Sequence, residues 1–279
     1  WEEIMIYLPA RIPLLLLSAT IGNAEQIAAW LSSIRTTKCL VVQENRRPVP
    51  LFPLFLHPSG TLLPLTTQPE SSKRPRLDKK IAKLIKAKHH RKINTSRNLP
   101  PFDDILLVLR KYNLLPAIFF LKSRADCDRA VDLCRRSQQP DESRTQQLRR
   151  KLVDFSVHTP HISAHRQRWH LEQLGVGAHH SGQLPSWKLL LEELMTEGLL
   201  DAVFATSTVA AGVNFPARTI VFLNSDRFIG KQFLPLTATE FHQMTGRAGR
   251  RGMDNIGFAL LLPNKFMDVR WMAKLFQTA

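Results

Sequence analysis

Asp201-Ala202-Val203-Phe204-Ala205-Thr206-Ser207-Thr208 is an apolar run closed by three hydroxyls. Residues 202–205 are too few for a helix and do not alternate apolar with polar. That is the pattern of a strand buried on both faces of a parallel sheet. The same arrangement recurs along the chain. Residues 12–17 are apolar and end in Ser18-Ala19-Thr20, and residues 117–121 run into Ser123-Arg124. Residues 39–42, 176–178, 219–223 and 257–262 read as further strands. Residues 102–111, 123–136, 142–152, 163–174, 185–197 and 238–247 read as helices between them, and Asn23 is placed to cap a helix just after the first run. Strands alternating with helices predict an α/β fold, a parallel sheet flanked by helices. Ligands of such sheets bind beyond the C-terminal strand ends, where the hydroxyl clusters fall.

Composition bounds the rest. Of 279 residues, 44% are hydrophobic and 22% charged, so the chain can bury a core. No apolar run is long enough to span a bilayer, and residues 1–3 do not open a secretory signal. Three cysteines, none in a Cys-x-x-Cys, exclude a disulfide scaffold and a thiolate zinc site, and fit a reducing, intracellular compartment, cytoplasmic or nuclear. The net charge of +16 points to a polyanion, with nucleic acid ahead of a membrane. Residues 73–97 hold eleven of the 39 basic residues and a single acid, Asp78. The surrounding stretch, 59–101, reads as a surface insertion, and Leu77, Ile81, Leu84 and Ile85 allow a short basic amphipathic helix within it. Residues 46–56 are extended and proline-rich, which suits a linker or an edge strand.

Gln243-Met244-Thr245-Gly246-Arg247-Ala248-Gly249-Arg250-Arg251-Gly252 carries the sharpest chemistry. On a helix, Gln243, Arg247 and Arg250 share one stripe at i, i+4 and i+7. Gly246 and Gly249 bare the backbone beside it, although glycine costs about 1 kcal/mol against alanine inside a helix. Clustered arginines with no neighbouring side chains make sense when a polyanion neutralises them, and guanidiniums suit a phosphoryl group.

This Gln-x-x-Gly-Arg-x-x-Arg stretch resembles the sixth signature motif of superfamily 2 helicases. Residues 175–182, with His179-His180-Ser181-Gly182, and residues 205–218, with Thr206-Ser207-Thr208 and Gly212-Val213-Asn214, resemble the fifth motif and its upstream partner. In detail they are most similar to the DExH-box group that includes the superkiller and exosome-assisting RNA helicases. Ser18-Ala19-Thr20 resembles the third motif and residues 119–124 the fourth, in matching order.

The resemblance implies a RecA-like domain of the P-loop NTPase helicases, with ATP and Mg2+ held against another RecA-like domain and single-stranded RNA or DNA, moved 3′-to-5′, as partner. It implies that Arg250 is the arginine finger, with Arg247 beside it on the phosphates and Gln243 arranging the attacking water. Gly212, Asn214 and Gly246 would lie near the nucleotide. Thr206, Thr208, Ser123, Arg124, His180 and Ser181 would face nucleic acid, and Ser18 and Thr20 would couple hydrolysis to strand movement. The domain expectation is a first-RecA tail at 1–44, a second RecA-like domain at 45–262 with a basic insertion at about 66–100, and the start of a further domain at 263–279.

The phosphate-cradling Gly-x-x-x-x-Gly-Lys-Ser/Thr is absent: Gly177 to Gly182 and Gly252 to Gly257 are followed by Gln183-Leu184 and Phe258-Ala259. The Asp141-Glu142 pair follows Gln138-Gln139-Pro140 rather than an apolar strand. The expectation is therefore a chain that hydrolyses ATP only together with the missing N-terminal RecA-like domain. Two rivals stand beside it. One is a passive basic nucleic-acid-binding module. The other is a metal site from His158, His161, His165 and His170 or from His179-His180, which the absence of nearby thiolates disfavours, so no metal ligand is assigned.

Overall fold

The computed structural model describes residues 2–18, 21–44, 46–67, 75–88, 100–135, 141–207, 215–229 and 232–277. The chain divides into two units, Trp1–Pro48 and Val49–Ala279.

In the first unit, α1 (Glu2–Tyr7) and α2 (Ala24–Arg35) are tied by one side chain. The Arg35 guanidinium donates to the carbonyls of Leu8, Pro9, Ala10 and Ile12 at 2.6–3.3 Å. Asn23 precedes α2 without a side-chain cap bond. Residues 12–17 and 39–42, expected as buried strands, form no ladder; Leu15, Leu17, Leu40 and Val42 are exposed. Apolar character alone does not make a strand. Its N–H and C=O groups need a neighbouring strand, and no described residue of this unit supplies one.

The second unit is built on seven strands in the order β2-β1-β11-β8-β5-β7-β6. They are β1 (Leu51–Leu56), β2 (Leu62–Pro64), β5 (Ala117–Leu121), β6 (Val176–His179), β7 (Ala202–Thr206), β8 (Thr219–Phe222) and β11 (Gly257–Leu261). All neighbours are parallel except β1 with β2. Two small ladders pair β3 (Thr66–Thr67) with β4 (Arg76–Leu77), and β9 (Asp226–Ile229) with β10 (Gln232–Pro235).

The wholly apolar strands are explained by a helical layer on each face. Ile118 and Phe120 of β5 enter one core, with Val203 and Ala205 of β7. Ala117, Phe119 and Leu121 enter the other, with Ala202 and Phe204. This is the two-residue alternation of a strand, hidden from a hydropathy pattern because both sides are buried. The first core is covered by α3 (Lys79–Lys88), α6 (Glu142–His158), α7 (Arg168–Leu174), α8 (Pro185–Thr196), α9 (Ala238–Thr245) and α10 (Val269–Leu275). The second is covered by α4 (Phe102–Lys111) and α5 (Arg124–Leu133).

Two expectations change here. Residues 51–56 are not a linker or an edge but an interior strand between β2 and β11. Pro53 is tolerated because its carbonyl accepts the Leu65 N–H (3.0 Å). Its missing N–H therefore faces the short β2 side, just beyond the antiparallel register that starts at Leu54. The stretch read as a surface insertion also supplies core: Leu65 and Ile81 are fully buried. Residues 269–275 lie in that same core through Val269, Met272, Ala273 and Leu275.

Candidate functional site

The C-terminal ends of β5, β6, β7 and β8 surround a cleft of about 550 Å³, lined in part by Ser123, Arg124, Ser181, Thr206, Asn224 and Asp226. Four residues singled out from sequence thus meet: Ser123, Arg124, Ser181 and Thr206. Thr208, Gly212, Asn214 and Thr20 lie outside the described residues, and Ser18 belongs to the first unit, exposed.

Ser123 caps α5. Its hydroxyl accepts the Asp126 N–H (3.0 Å) and donates to the Asp126 carboxylate (2.8 Å). The hydroxyl proton is therefore spent inside the protein. Arg124, one residue on, is exposed and makes no ion pair or hydrogen bond with a described residue. Its Cδ lies 3.4 Å from where a Cβ on Gly182 would stand, so it reaches across the Ser181-Gly182 turn. Lys122 is neutralised: its Nζ is 2.8 Å from Asp226 Oδ1 and 3.7 Å from the Phe266 ring centre. Arg124 is the cation this lip presents to solvent.

The turn at 181–182 is held from below. His180 is 3% exposed; its Nδ1 accepts the Gly182 N–H (3.1 Å), so Nε2 carries the proton and points at Asp128 Oδ1 (3.1 Å). Asp128 also receives Gln167 (2.7 Å), Gln183 (3.1 Å) and Arg166 (2.5 Å). Burial alone would raise the Asp128 carboxyl pKa, but hydrogen bonds from Arg166 and His180 together with the Arg166 charge hold it below the usual range. His180 faces inward, and nothing in its residue type distinguished that from an outward position. Asp128 is a member of the site that sequence reading passed over, because it lies 52 residues from its histidine.

The arginine segment is the second cluster, and its geometry differs from the expectation. Helix α9 starts at a full capping box, Thr237 with Glu240, but ends at Thr245. Gly246 caps it, Ala248 bridges Ala217, and Gly249 takes φ +83°. Gln243, Arg247 and Arg250 therefore share no helical stripe. The glycines also serve a different purpose from baring the backbone to a ligand. A Cβ on Gly249 would come 2.5 Å from Val49 Cγ1, and one on Gly257 would come 2.6 Å from the Gly249 nitrogen. They let two backbone segments touch. Gly257→Ala is expected to cost about 2–3 kcal/mol in urea unfolding, since the blocking atoms are backbone and cannot rotate away. A loss under about 0.5 kcal/mol would show that the segments part easily.

This turn meets the approach to β8. The Ala217 N–H donates to the Arg247 carbonyl (3.0 Å), and the Gly249 N–H to the Ala217 carbonyl (2.8 Å). Both segments lead into strand starts, Thr219 of β8 and Gly257 of β11, so the backbone of this turn lies at the N-terminal ends of the strands, away from the cleft at their C-terminal ends. Arg250 is held by Asp254, whose Oδ2 accepts both its backbone N–H (2.9 Å) and its Nε–H (2.8 Å), while Oδ1 accepts from Nη2 (3.0 Å). The Asp254 side chain is 1% exposed, and Arg218 Nε lies 3.9 Å from it. Burial raises the Asp254 carboxyl pKa, but the Arg250 hydrogen bonds and the two guanidinium charges lower it by more. Arg247 is half-buried, and burial lowers its pKa. Asp254 was missed by sequence reading although it stands four residues after Arg250.

The surface fits a phosphate better than a metal ion. Arg250 Nη1 has no hydrogen bond to a described residue, while the Asp254 carboxylate is occupied by Arg250, so it is no ligand for Mg2+. Among the described residues no three His, Cys, Asp or Glu side chains gather as a metal site. His161 instead bonds Ser186, and His165 stacks on Trp187 with ring centres 3.6 Å apart. No helix of the described residues is long and apolar enough to cross a membrane.

No family model matches the chain. Among curated proteins it is 33% identical to the DExH-box ATP-dependent RNA helicase DExH15, chloroplastic, of Arabidopsis thaliana, over 99% of this chain and 26% of that protein. It is 34% identical to the probable helicase HelY of Mycobacterium tuberculosis, over 100% of this chain and 33% of HelY. It is 32% identical to the exosome RNA helicase MTR4 of Homo sapiens, over 96% and 27%. The chain belongs to the DExH-box helicases of superfamily 2, with the RecA-like α/β sheet of that family. It spans about a quarter to a third of the length of these relatives.

Proposed function

We propose that this chain is the second RecA-like portion of an ATP-dependent helicase acting on single-stranded RNA, with 3′-to-5′ polarity. The observation that carries the nucleic-acid part is the cleft. Ser123, Arg124, Ser181 and Thr206 arrive there from three strand ends, and Arg124 has no partner among the described residues to neutralise it. A backbone-tracking site needs an uncommitted cation beside small polar groups. We read residues 1–44 as the tail of a first RecA-like domain, and the exposed apolar runs there as strands awaiting that domain's sheet. Residues 263–279, whose helix α10 packs on the core of the second unit, we read as leading toward a further domain.

For the nucleotide, Arg250 is the proposed arginine finger and Arg247 its neighbour on the phosphates. Bound ATP supplies the phosphoanhydride whose hydrolysis drives strand movement. The contribution of this chain is positioning. Asp254 clamps one edge of the Arg250 fork and leaves the Nη1 edge to face phosphoryl oxygens, so no reorganisation is needed when charge develops. Gly212, Asn214 and Gly246 are proposed near the nucleotide, Gln243 near its water, and Ser18 and Thr20 as the coupling segment.

Arg124→Ala tests the cleft. Losing one charge-assisted hydrogen bond, about 1.5 kcal/mol, weakens single-stranded RNA binding roughly tenfold. The slope of log K against log salt flattens by about 0.7. Thermal stability stays unchanged because the side chain is exposed. RNA affinity and slope equal to the parent's would remove the cleft from the nucleic-acid path.

A further inference from the structure

Helix α3 (Lys79–Lys88) carries an array of charge that the cleft does not use. Ile81 is fully buried, and Leu77, Leu84 and Ile85 pack beside it on the core of the second unit. Lys79, Lys80, Lys83 and Lys86 occupy the opposite, exposed arc. The helix start is fixed. Asp78 Oδ1 accepts the N–H groups of Lys80 (2.8 Å) and Ile81 (3.4 Å), and the Asp78 N–H donates to the Leu65 carbonyl (3.1 Å). Helix α3 is therefore a docked element of the second unit.

The arrangement is unfavourable for the helix by itself. Lys79 and Lys80 stand in its first turn, where the macrodipole disfavours cations. Lys79 with Lys83, and Lys83 with Lys86, are like charges at helical contact spacing. Several other cations of the unit are paired, among them Lys151 with Glu193 and Glu197, Arg149 with Glu172, and Arg166 with Asp128. None of the four α3 lysines forms an ion pair with a described residue. An external polyanion would relieve both costs. The apolar face is already spent on the core, so the helix has nothing to insert into a bilayer.

We propose that the lysine face of α3 is a second contact surface for the phosphodiester backbone of the nucleic acid, separate from the cleft at the strand ends. It rests on the nucleic-acid reading given above. The array is pre-organised by Ile81 and Asp78, so binding does not have to order it first.

The test compares the 279-residue chain with a variant carrying Lys→Gln at 79, 80, 83 and 86, each binding a 20-nucleotide single-stranded RNA over a salt series. Each lost phosphate contact removes about 0.7 from the slope of log K against log salt. A slope flatter by about 1.4 or more, restored by Lys→Arg at the same four positions, is the expected result. Circular dichroism should show the helix content of both variants unchanged, because the substituted side chains are exposed. A slope equal to the parent's overturns the proposal, as does binding of the parent to phosphatidylserine vesicles in preference to RNA. If Arg124→Ala flattens the slope while the lysine variant does not, the α3 inference fails and the cleft reading stands. If neither does, both fail.

Discussion

Arg250→Ala, placed in a complete helicase containing this segment, is expected to lower kcat for RNA-stimulated ATP hydrolysis by about 10³-fold or more, the range measured for arginine fingers. Single-stranded RNA affinity should stay within about twofold, because the cleft lies at the other end of the strands. The substitution also leaves Asp254 buried without its main partner, so the loss must be read per folded molecule. Arg250→Lys separates the two effects. Lysine keeps a cation beside Asp254 but lacks the planar fork, which an ammonium does not replace. If Arg250 works on the phosphates, Arg250→Lys loses most turnover while its unfolding midpoint stays near that of the parent. If turnover survives in both variants, the guanidinium is a structural partner of Asp254 and the passive-binding reading gains.

The second large effect concerns stability. Asp254→Ala removes a carboxylate that is 1% exposed and leaves the Arg250 guanidinium, 14% exposed, without its bidentate partner. Breaking a buried pair from one side costs about 3–5 kcal/mol, and the lower end applies because both Arg250 and Arg218 keep some solvent. Urea unfolding of the 279-residue chain measures it. A cost below about 1 kcal/mol would mean that the pair is a surface interaction in practice. The pH dependence has a defined sign. The folded carboxyl is depressed, so its stabilisation is complete above the unfolded carboxylate value of about 4 and is lost as pH falls through the depressed one. Parent and Asp254→Ala curves should therefore converge only in acid.

Much of the sheet was legible. Residues 117–121, 202–206 and 257–261 are strands where short apolar runs said so, and α4 falls on residues 102–111 as read. The signal is strong because both faces of each strand are buried, which demands apolar residues at every position. Residues 12–17 show its limit: the same composition forms no strand without a partner ladder. The arginine stripe failed for a different reason. Helical spacing was projected through Gly246, where the helix stops. Beyond that residue the chain path, not the helical period, sets where Arg247 and Arg250 stand.

The sequence by itself determined the α/β alternation, the hydroxyl and arginine residues at strand ends, and the family. These depend on local pattern and residue type, which survive without knowledge of neighbours. Tertiary structure decided that Arg124 faces solvent while Lys122 is neutralised by Asp226, and that His180 turns inward to Asp128. It also decided that Gly249 is there to meet Gly257, and that α3 docks through Ile81. Each of those is a contact between segments remote in the chain, and only the close packing of a folded core sets which side chains are left with charge to offer.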